Sequence, residues 1–284
     1  MIELGPNRYG KSGIRVLKVI RGPDRHQVRD LTVSFALEGD FEAAHVAGDN
    51  SAVIATDSMK NTVYAFAREH LGGPVESFGL TLARHFAGFD QVRGATIGID
   101  EHRWVRMPTD DGEAPDAFLR SADFTRTATV TATRDGVAIE AGIRDLAVMK
   151  TGRSAFRGFP RDVYTTLPDA DDRIMATLLT AAWRYGEAVH GANFDELFDA
   201  VGESILDAFA DHDSASVQAS IWIVGRAVLE RHAEVDEIRM TLPNLHHWLV
   251  DLSPFGQENR GEIFVATREP YGLIEATVRR ESGE

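Results

Sequence analysis

Residues 127–150 read TATVTATRDGVAIEAGIRDLAVMK. Up to Thr133 this is nearly pure strand composition, with threonine alternating with alanine and valine. Asp135-Gly136 is turn chemistry, and Val137–Lys150 reads as a further strand. The turn closes one set of elements and opens another, and the two sets follow one order.

On the N-terminal side, Ile14–Arg21 and Val28–Glu38 are rich in β-branched and apolar residues, with Gly22-Pro23-Asp24 as turn between them. Met59, Val63, Phe66 and Ala67 recur at helical spacing until Leu71-Gly72-Gly73-Pro74 stops the pattern. Phe78, Leu82, Phe86 and Phe89 mark a second helix, and Val92–Met107 and Ala117–Arg134 read as strands. On the C-terminal side, Val137–Lys150 and a short Asp162–Leu167 read as strands, and Ile174, Leu178, Ala181 and Tyr185 as a helix. Asn193 and Glu196 resemble a capping box for a helix carrying Phe194, Leu197, Phe198, Val201, Ile205 and Phe209. Val217–Leu229 and Glu237–Leu252 read as closing strands.

Strand–strand–helix–helix–strand–strand is therefore expected twice, over residues 1–134 and 135–284. This predicts an α+β protein with antiparallel sheets and a helix layer on one face. No repeat is visible residue by residue. Long β-rich edges need pairing or covering, so an oligomer is expected.

The 284 residues suffice for one large or two smaller domains, and 43% hydrophobic with 26% charged residues is a globular composition. Runs such as Met175–Trp183 are far short of a bilayer span. The opening residues do not read as a basic-then-apolar signal peptide, and Glu281-Ser282-Gly283-Glu284 does not read as a peroxisome-type ending, so neither destination is expected. The chain has no cysteine, which excludes disulfides, iron–sulfur clusters, thiolate zinc sites and cysteine nucleophiles, and fits a cytoplasmic location. A net charge of −14 disfavours nucleic acid as a partner. A small organic anion can still bind where local donors outweigh the global field.

Gly5-Pro6-Asn7-Arg8-Tyr9-Gly10-Lys11-Ser12 satisfies the phosphate-loop pattern, but its context fails. That loop needs a strand before it and a helix after it. Only four residues precede Gly5, and a β-rich run follows Gly13.

Several fragments, each weak alone, are specific together. They are Tyr9-Gly10-Lys11, Ala55-Thr56-Asp57-Ser58-Met59-Lys60-Asn61-Thr62, Phe156-Arg157-Gly158-Phe159, Arg161-Asp162-Val163-Tyr164-Thr165-Thr166-Leu167, Val217-Gln218 and Leu242-Pro243-Asn244-Leu245-His246. In this order, from about residue 7 to residue 276, they resemble the signatures of urate oxidases (uricases). The resemblance implies two tandem tunnelling-fold (T-fold) domains, a homotetramer, and active sites built where two subunits meet. It implies cofactor-free oxidation of urate by dioxygen and water to 5-hydroxyisourate and hydrogen peroxide, the first step of urate degradation. All residues of the family's catalytic pattern are present.

Each residue has a chemical reason for its role and a plainer alternative. Thr56 and Asp57 precede a helical pattern, where amides and dipole favour an anion, although both residue types also serve as simple caps. The resemblance implies that Thr56 and the Asp57 amide hold the imidazole side of urate. The fork of Arg173 suits bidentate contact with a carbonyl and a ring nitrogen, and Gln218 pairs a donor with an acceptor. The alternatives are a salt bridge from Arg173 to Asp169 or Asp172, and a strand hydrogen bond for Gln218. By resemblance these two grip the pyrimidine edge with the Val217 amide, and Phe156 stacks on the purine rather than packing in a core.

Lys11, Thr56 and His246 form the implied proton relay, since urate loses protons as well as electrons. A lysine acts as a base only when neutral, a state that burial favours; otherwise Lys11 is a surface charge. His246 could instead be a hydrogen-bonded strand histidine or, with His247, a metal ligand, but adjacent strand residues face opposite ways. Asn244 is implied opposite Phe156, holding dioxygen and then water. No metal and no cofactor are expected, because the urate dianion reduces oxygen itself and the protein supplies positioning and electrostatics. Two rivals remain: a T-fold enzyme using zinc on pterins or GTP, and a purine-binding module without turnover.

Overall fold

Alternation of buried and exposed residues builds the first sheet. In the computed structural model, which describes residues 2–281, strands β1 (Ile14–Arg21) and β2 (His26–Gly39) pair antiparallel with Ile14 opposite Val33. Ser282-Gly283-Glu284, which carry the peroxisomal reading, lie outside the described residues. The chain divides into two compact units, Met1–Gly142 with Trp183–Asp199, and Ile143–Ala182 with Ala200–Glu284.

In the first unit β1 and β2 are followed by α1 (Glu42–Val46), α2 (Thr56–His70), α3 (Val75–Ala87), β3 (Val92–Glu101), the hairpin β4 (Trp104–Thr109) and β5 (Gly112–Arg120), and β6 (Thr125–Thr133). The sheet order is β1-β2-β3-β6, all antiparallel. One face carries Val33, Phe35, Leu37, Ile97, Ile99 and Val130, and packs on Met59 and Val63 of α2 and on Phe78, Leu82 and Phe86 of α3. In β6 the alanines, Val130 and Arg126 point inward while the threonines point out, which is the alternation the sequence shows.

Inside this unit lies a charged cluster. Arg126 is buried and donates to both oxygens of the fully buried Glu76 at 2.8 and 3.0 Å, and to Asp195 at 2.7 Å. Arg29 donates to Glu101 at 2.7 Å and to Asp195 at 2.6 Å. Burial alone would depress the Arg126 guanidinium, but Glu76, Glu101 and Asp195 together hold it above its ordinary value. Phe198 covers one guanidinium face with its ring centre 4.2 Å away.

The elements that follow are β7 (Val137–Lys150), β8 (Met175–Tyr185), α4 (Phe194–Asp211), α5 (Val217–Arg231), β9 (Val235–Leu245), the pair β10 (His247–Leu249) and β11 (Phe264–Ala266), and β12 (Gly272–Arg279). The strand order is β7-β8-β9-β12, and β9 pairs antiparallel with β12. Asn193 begins α4 as expected, accepting from the Asp195 amide at 3.1 Å and donating to Glu196 at 2.9 Å.

Two contacts repeat between the halves. Lys18, on the first strand of its block, donates to the Ala67 and Arg68 carbonyls at the end of α2, both at 2.8 Å. Lys150, on β7, donates to the Phe209 and Ala210 carbonyls at 3.3 and 3.2 Å, and to the His212 carbonyl just past the end of α4. A Cβ on Gly79 of α3 would stand 3.0 Å from a methyl of Val130, and one on Gly225 of α5 2.6 Å from a methyl of Val278. In both cases the second helix lies directly on a valine of the fourth strand. The duplication is thus carried by contacts and not by sequence identity.

The expected element order holds in both blocks, but in the second its residues differ. Ile174–Tyr185, expected as a helix, is β8: Met175, Thr177, Leu179, Ala181, Trp183 and Tyr185 are all buried at period two. Val217–Leu229, expected as a strand, is α5, whose buried face is Val217, Ser220, Ile221, Val224, Gly225, Val228 and Leu229. Small residues complete that helical stripe, and the β-branched ones had suggested a strand. Asp162–Leu167 is a turn held by Asp162, which accepts from Tyr164 and Thr165, and β12 was not anticipated. Val92–Met107 and Ala117–Arg134 each break into two strands. Phe89 falls beyond α3 and is partly exposed.

Candidate functional site

Two groups of candidate residues emerge, one in each unit. In the first, α2 begins at Thr56, and its N-cap is Ala55, which offers no side-chain acceptor. Thr56 and Asp57 are therefore the first two helical residues and not caps, and the opening amides of α2 have no capping side chain. Lys60 binds Asp57 at 2.5 Å. That bond, with Asn61 and the charge of Lys11, holds the Asp57 carboxyl below the usual range. Lys11 is half-buried, and its carbonyl accepts from the Phe35 amide at 2.7 Å. Beside it Gly10 lies so close to β2 that a Cβ would stand 1.9 Å from the Phe35 carbonyl oxygen.

Tyr9 ties these pieces together. Its backbone pairs both ways with Leu37, and its hydroxyl accepts from the Ile54 amide at 2.7 Å and faces the Ile54 carbonyl at 3.2 Å. The segment carrying Lys11 is thereby attached two residues ahead of Thr56. Tyr9-Gly10-Lys11 reads in the sequence only as a motif; its bracing role needs the long-range contact.

In the second unit three segments are laced by backbone bonds. Arg173 N donates to Ser154 O at 2.7 Å, Ala155 N to Ser214 O at 2.7 Å, and Phe156 pairs with Ala170 in both directions. Asp172 accepts from the Ser154 amide at 3.1 Å. This lattice sets the Arg173 guanidinium over the Phe156 ring, 5.0 Å from its centre. The Arg173 Nε is buried without a hydrogen-bond partner, and no carboxylate among the described residues pairs with its side chain. The expected alternative therefore fails: Asp169 pairs with Arg161, and Asp172 is engaged by Ser154. Burial pushes the guanidinium below its ordinary value. Phe159 stacks on Phe156 at 4.9 Å and 12°. Arg173 precedes the strand β8, where the spacing of Ile174, Leu178, Ala181 and Tyr185 predicts a helix.

Ser214 belongs to the same lattice and leads into α5. Ser216 caps that helix by accepting from the Ala219 amide at 3.1 Å. Val217 and Gln218 are its first two residues, so their amides have no intrahelical acceptor. Gln218 is exposed. It sits on a helix end and not on the strand expected for it. The Ser-x-x pattern of Ser216 ahead of an apolar stripe could have signalled this start.

Asn244 lies on β9 opposite Gly272 of β12, and His246 follows at the end of that strand. The His246 ring stacks on Trp248 at 5.2 Å, and its carbonyl accepts from the Thr267 amide at 2.9 Å. His247 instead bonds the Leu245 carbonyl through Nδ1 at 3.2 Å. It also lines a cavity of about 950 Å³ with Arg173, Asp172, Met149 and Phe264; Arg173 is the one candidate residue there.

Phe156 and Arg173 thus share one hydrogen-bonded lattice, a cationic fork over an aromatic face, and Ser214 of that lattice leads into the anion-favouring helix end opened by Val217 and Gln218. Such an arrangement suits a flat, anionic heterocycle. Lys11, Thr56 and Asp57 form the second set.

The family model described as Uricase matches residues 7–131 and 139–275. The chain is 48% identical to a uricase of Arthrobacter globiformis over 99% of this chain and 91% of that protein. Against a uricase of Dictyostelium discoideum the identity is 38%, over 99% and 98% of the two chains. The crystal structure of the Arthrobacter globiformis uricase superposes with a TM-score of 0.94 at 47% identity, covering 100% of this chain and 97% of that one.

Proposed function

The chain belongs to the uricase family, and from that premise we propose how it oxidises urate with dioxygen and water to 5-hydroxyisourate and hydrogen peroxide. Its α+β fold is that of tandem T-fold domains. We take the domains as 1–134 and 135–284; the break between the two matched segments, around Asp135-Gly136, supports that division.

The observation that carries the site assignment is the unpartnered Arg173 fork over Phe156, laced to the start of α5. In this reading Phe156 sets the plane of urate. Arg173 and Gln218 grip the pyrimidine edge with the Val217 amide, offering donors to oxygen and an acceptor to N–H. Thr56 and the Asp57 amide bind the imidazole edge at the uncapped end of α2. Lys11, acting through Thr56 and served by His246, removes protons. Asn244 holds dioxygen and then the attacking water.

The electrons balance without a prosthetic group. Urate gives two electrons to dioxygen, which takes two protons and leaves as peroxide; water then adds to the oxidised purine. The protein's part is positioning, deprotonation and stabilisation of charge.

The two sets of residues meet, we propose, where two copies of the chain join, in a homotetramer. The exposed Val163 and Tyr164 at the tip of the loop closed by Phe156 and Ala170 support such contact. No helix among the described residues is long and apolar enough to cross a membrane, and we assign the enzyme to the cytoplasm.

Purified enzyme given urate in air should lose urate absorbance and release one peroxide per urate. Binding without loss of urate would favour a purine-binding module, and loss of activity in chelator would favour a metal-dependent T-fold enzyme.

A further inference from the structure

A buried polar chain runs beneath the first turn of α5, and none of the roles assigned above uses it. His212 is 8% exposed, Ser214 3% and Ser220 0%. His212 Nδ1 lies 2.8 Å from the Ala208 carbonyl, and Nε2 lies 2.7 Å from Ser220 Oγ. Ser220 Oγ lies 2.8 Å from Ser214 Oγ, and Ser214 Oγ lies 3.1 Å from the Ser216 carbonyl. Lys150 holds the His212 carbonyl, so the residue is fixed at backbone and ring alike.

The donors can be assigned by elimination. A carbonyl only accepts, so Nδ1 carries the proton towards Ala208. Burial, with the charges of Lys150 and Arg153, holds the His212 imidazole below its ordinary value, which keeps the ring neutral. Nε2 is then an acceptor, and the Ser220 hydroxyl donates to it at 2.7 Å in preference to the Ser216 carbonyl at 3.2 Å. Ser220 Oγ is left to accept, and the single Ser214 hydroxyl proton has two acceptors in reach, Ser220 Oγ at 2.8 Å and the Ser216 carbonyl at 3.1 Å.

Ser214 is where this chain meets the recognition lattice. Its amide donates to Arg153 O at 2.9 Å, and its carbonyl accepts from Ala155 N at 2.7 Å, next to Phe156 and to the Ser154 carbonyl that binds Arg173. Two residues on, Ser216 caps the helix that begins with Val217 and Gln218. Ser214 thus joins the two segments, the strap through its backbone amide and carbonyl and the start of α5 through its hydroxyl.

We propose that His212 is a positioning residue for substrate recognition: through Ser220 and Ser214 it sets the register between the Phe156–Arg173 strap and the Val217–Gln218 helix end. This rests on the reading of those four residues as the grip on urate. His212 touches no substrate. Its effect is on the spacing of two groups that must bind opposite parts of one rigid molecule.

The test compares His212→Leu, His212→Gln and Ser220→Ala by steady-state urate oxidation, with a thermal melt of each variant. Leucine removes the acceptor for Ser220, whereas glutamine places an amide oxygen near the position of Nε2. His212→Leu and Ser220→Ala are expected to raise KM for urate roughly five- to tenfold with kcat held within about twofold. His212→Gln is expected to stay near the parent. A purely structural role would lower the melting temperature and the active fraction without this split.

Unchanged KM in folded His212→Leu and Ser220→Ala would overturn the proposal, as would a KM in His212→Gln raised as far as in His212→Leu. Should His212→Leu fail to fold, Ser220→Ala decides. A parent enzyme that leaves urate intact defeats the functional reading and this inference with it. A parent that turns over while both variants keep its KM defeats this inference alone.

Discussion

Replacing Arg126 by methionine should unfold the protein at markedly lower temperature, and the size of the loss should depend on pH. Glu76 has no exposed surface, and both its oxygens receive their donors from Arg126. Burial already pushes its carboxyl above the usual range, and Arg126 works against that push. Removing one partner of a buried pair costs about 3–5 kcal/mol, because the remaining charge is left without compensation. At roughly 2–4 °C per kcal/mol for chains near this size, a melting temperature some 6 °C lower or more is expected. Asp195 and Glu101 keep Arg29 and lie nearer the surface, so they should add little.

The pH dependence follows from linkage. In Arg126→Met the folded pKa of Glu76 rises further above its unfolded value, so the folded state binds the proton more tightly. Stability is then fully present below the unfolded pKa and is lost as pH rises through the folded one. The deficit against the parent should therefore be small in mild acid and grow towards neutral and alkaline pH. Denaturant melts at several pH values measure this, with Glu76→Leu Arg126→Met as control, which should recover most of the loss. A single-variant deficit under about 1 kcal/mol at pH 8, or one that ignores pH, would refute the reasoning.

Other outcomes follow from the same structure. Under the proposed relay, Lys11→Met should abolish most turnover while leaving urate binding, measured by equilibrium titration, nearly intact, since that role concerns proton transfer more than recognition. Gln218→Leu should instead raise KM and weaken discrimination between urate and xanthine, which paired KM and inhibition measurements would reveal. Ser216→Ala should cost about 1 kcal/mol by loss of the α5 cap, read in a denaturant melt. Lys150→Met leaves the carbonyls at the end of α4 without their ammonium donor and should cost about 1–3 kcal/mol in the same assay.

How much of this was legible in the sequence differs between the halves. The first block reads well because its patterns are unmixed: β6 alternates strictly, and Met59, Val63 and Ala67 repeat at helical spacing. The second block mixes periods. Ile174, Leu178, Ala181 and Tyr185 fit a helix, while the buried set of β8 shares only Ala181 and Tyr185 with them. Val217–Leu229 is β-branched yet helical, because Gly225 lets α5 approach β9 and β12 closely. The expected order survived because a spurious strand and helix stood in for β8 and α5.

The site was legible as motifs and not as geometry. Phe156 and Arg173 are 17 residues apart in sequence, and what joins them is backbone pairing with Ala170, Ser154 and Ser214, which no local pattern announces. The same holds for Tyr9 and Ile54, 45 residues apart. His212 and Ser220 attract no notice in the sequence, since a histidine after a helix is commonplace. Their burial and mutual distance give them meaning.

The central claim is that a urate anion, held edge-on by Arg173 and Gln218 and deprotonated through Lys11 and Thr56, reduces dioxygen without a bound helper. It is tested most directly by stoichiometry on enzyme stripped of metal and checked for chromophores, followed in air and in chelator. The account predicts undiminished urate loss with one peroxide formed for each urate consumed. Activity that vanishes on stripping and returns with an added metal or flavin would contradict it.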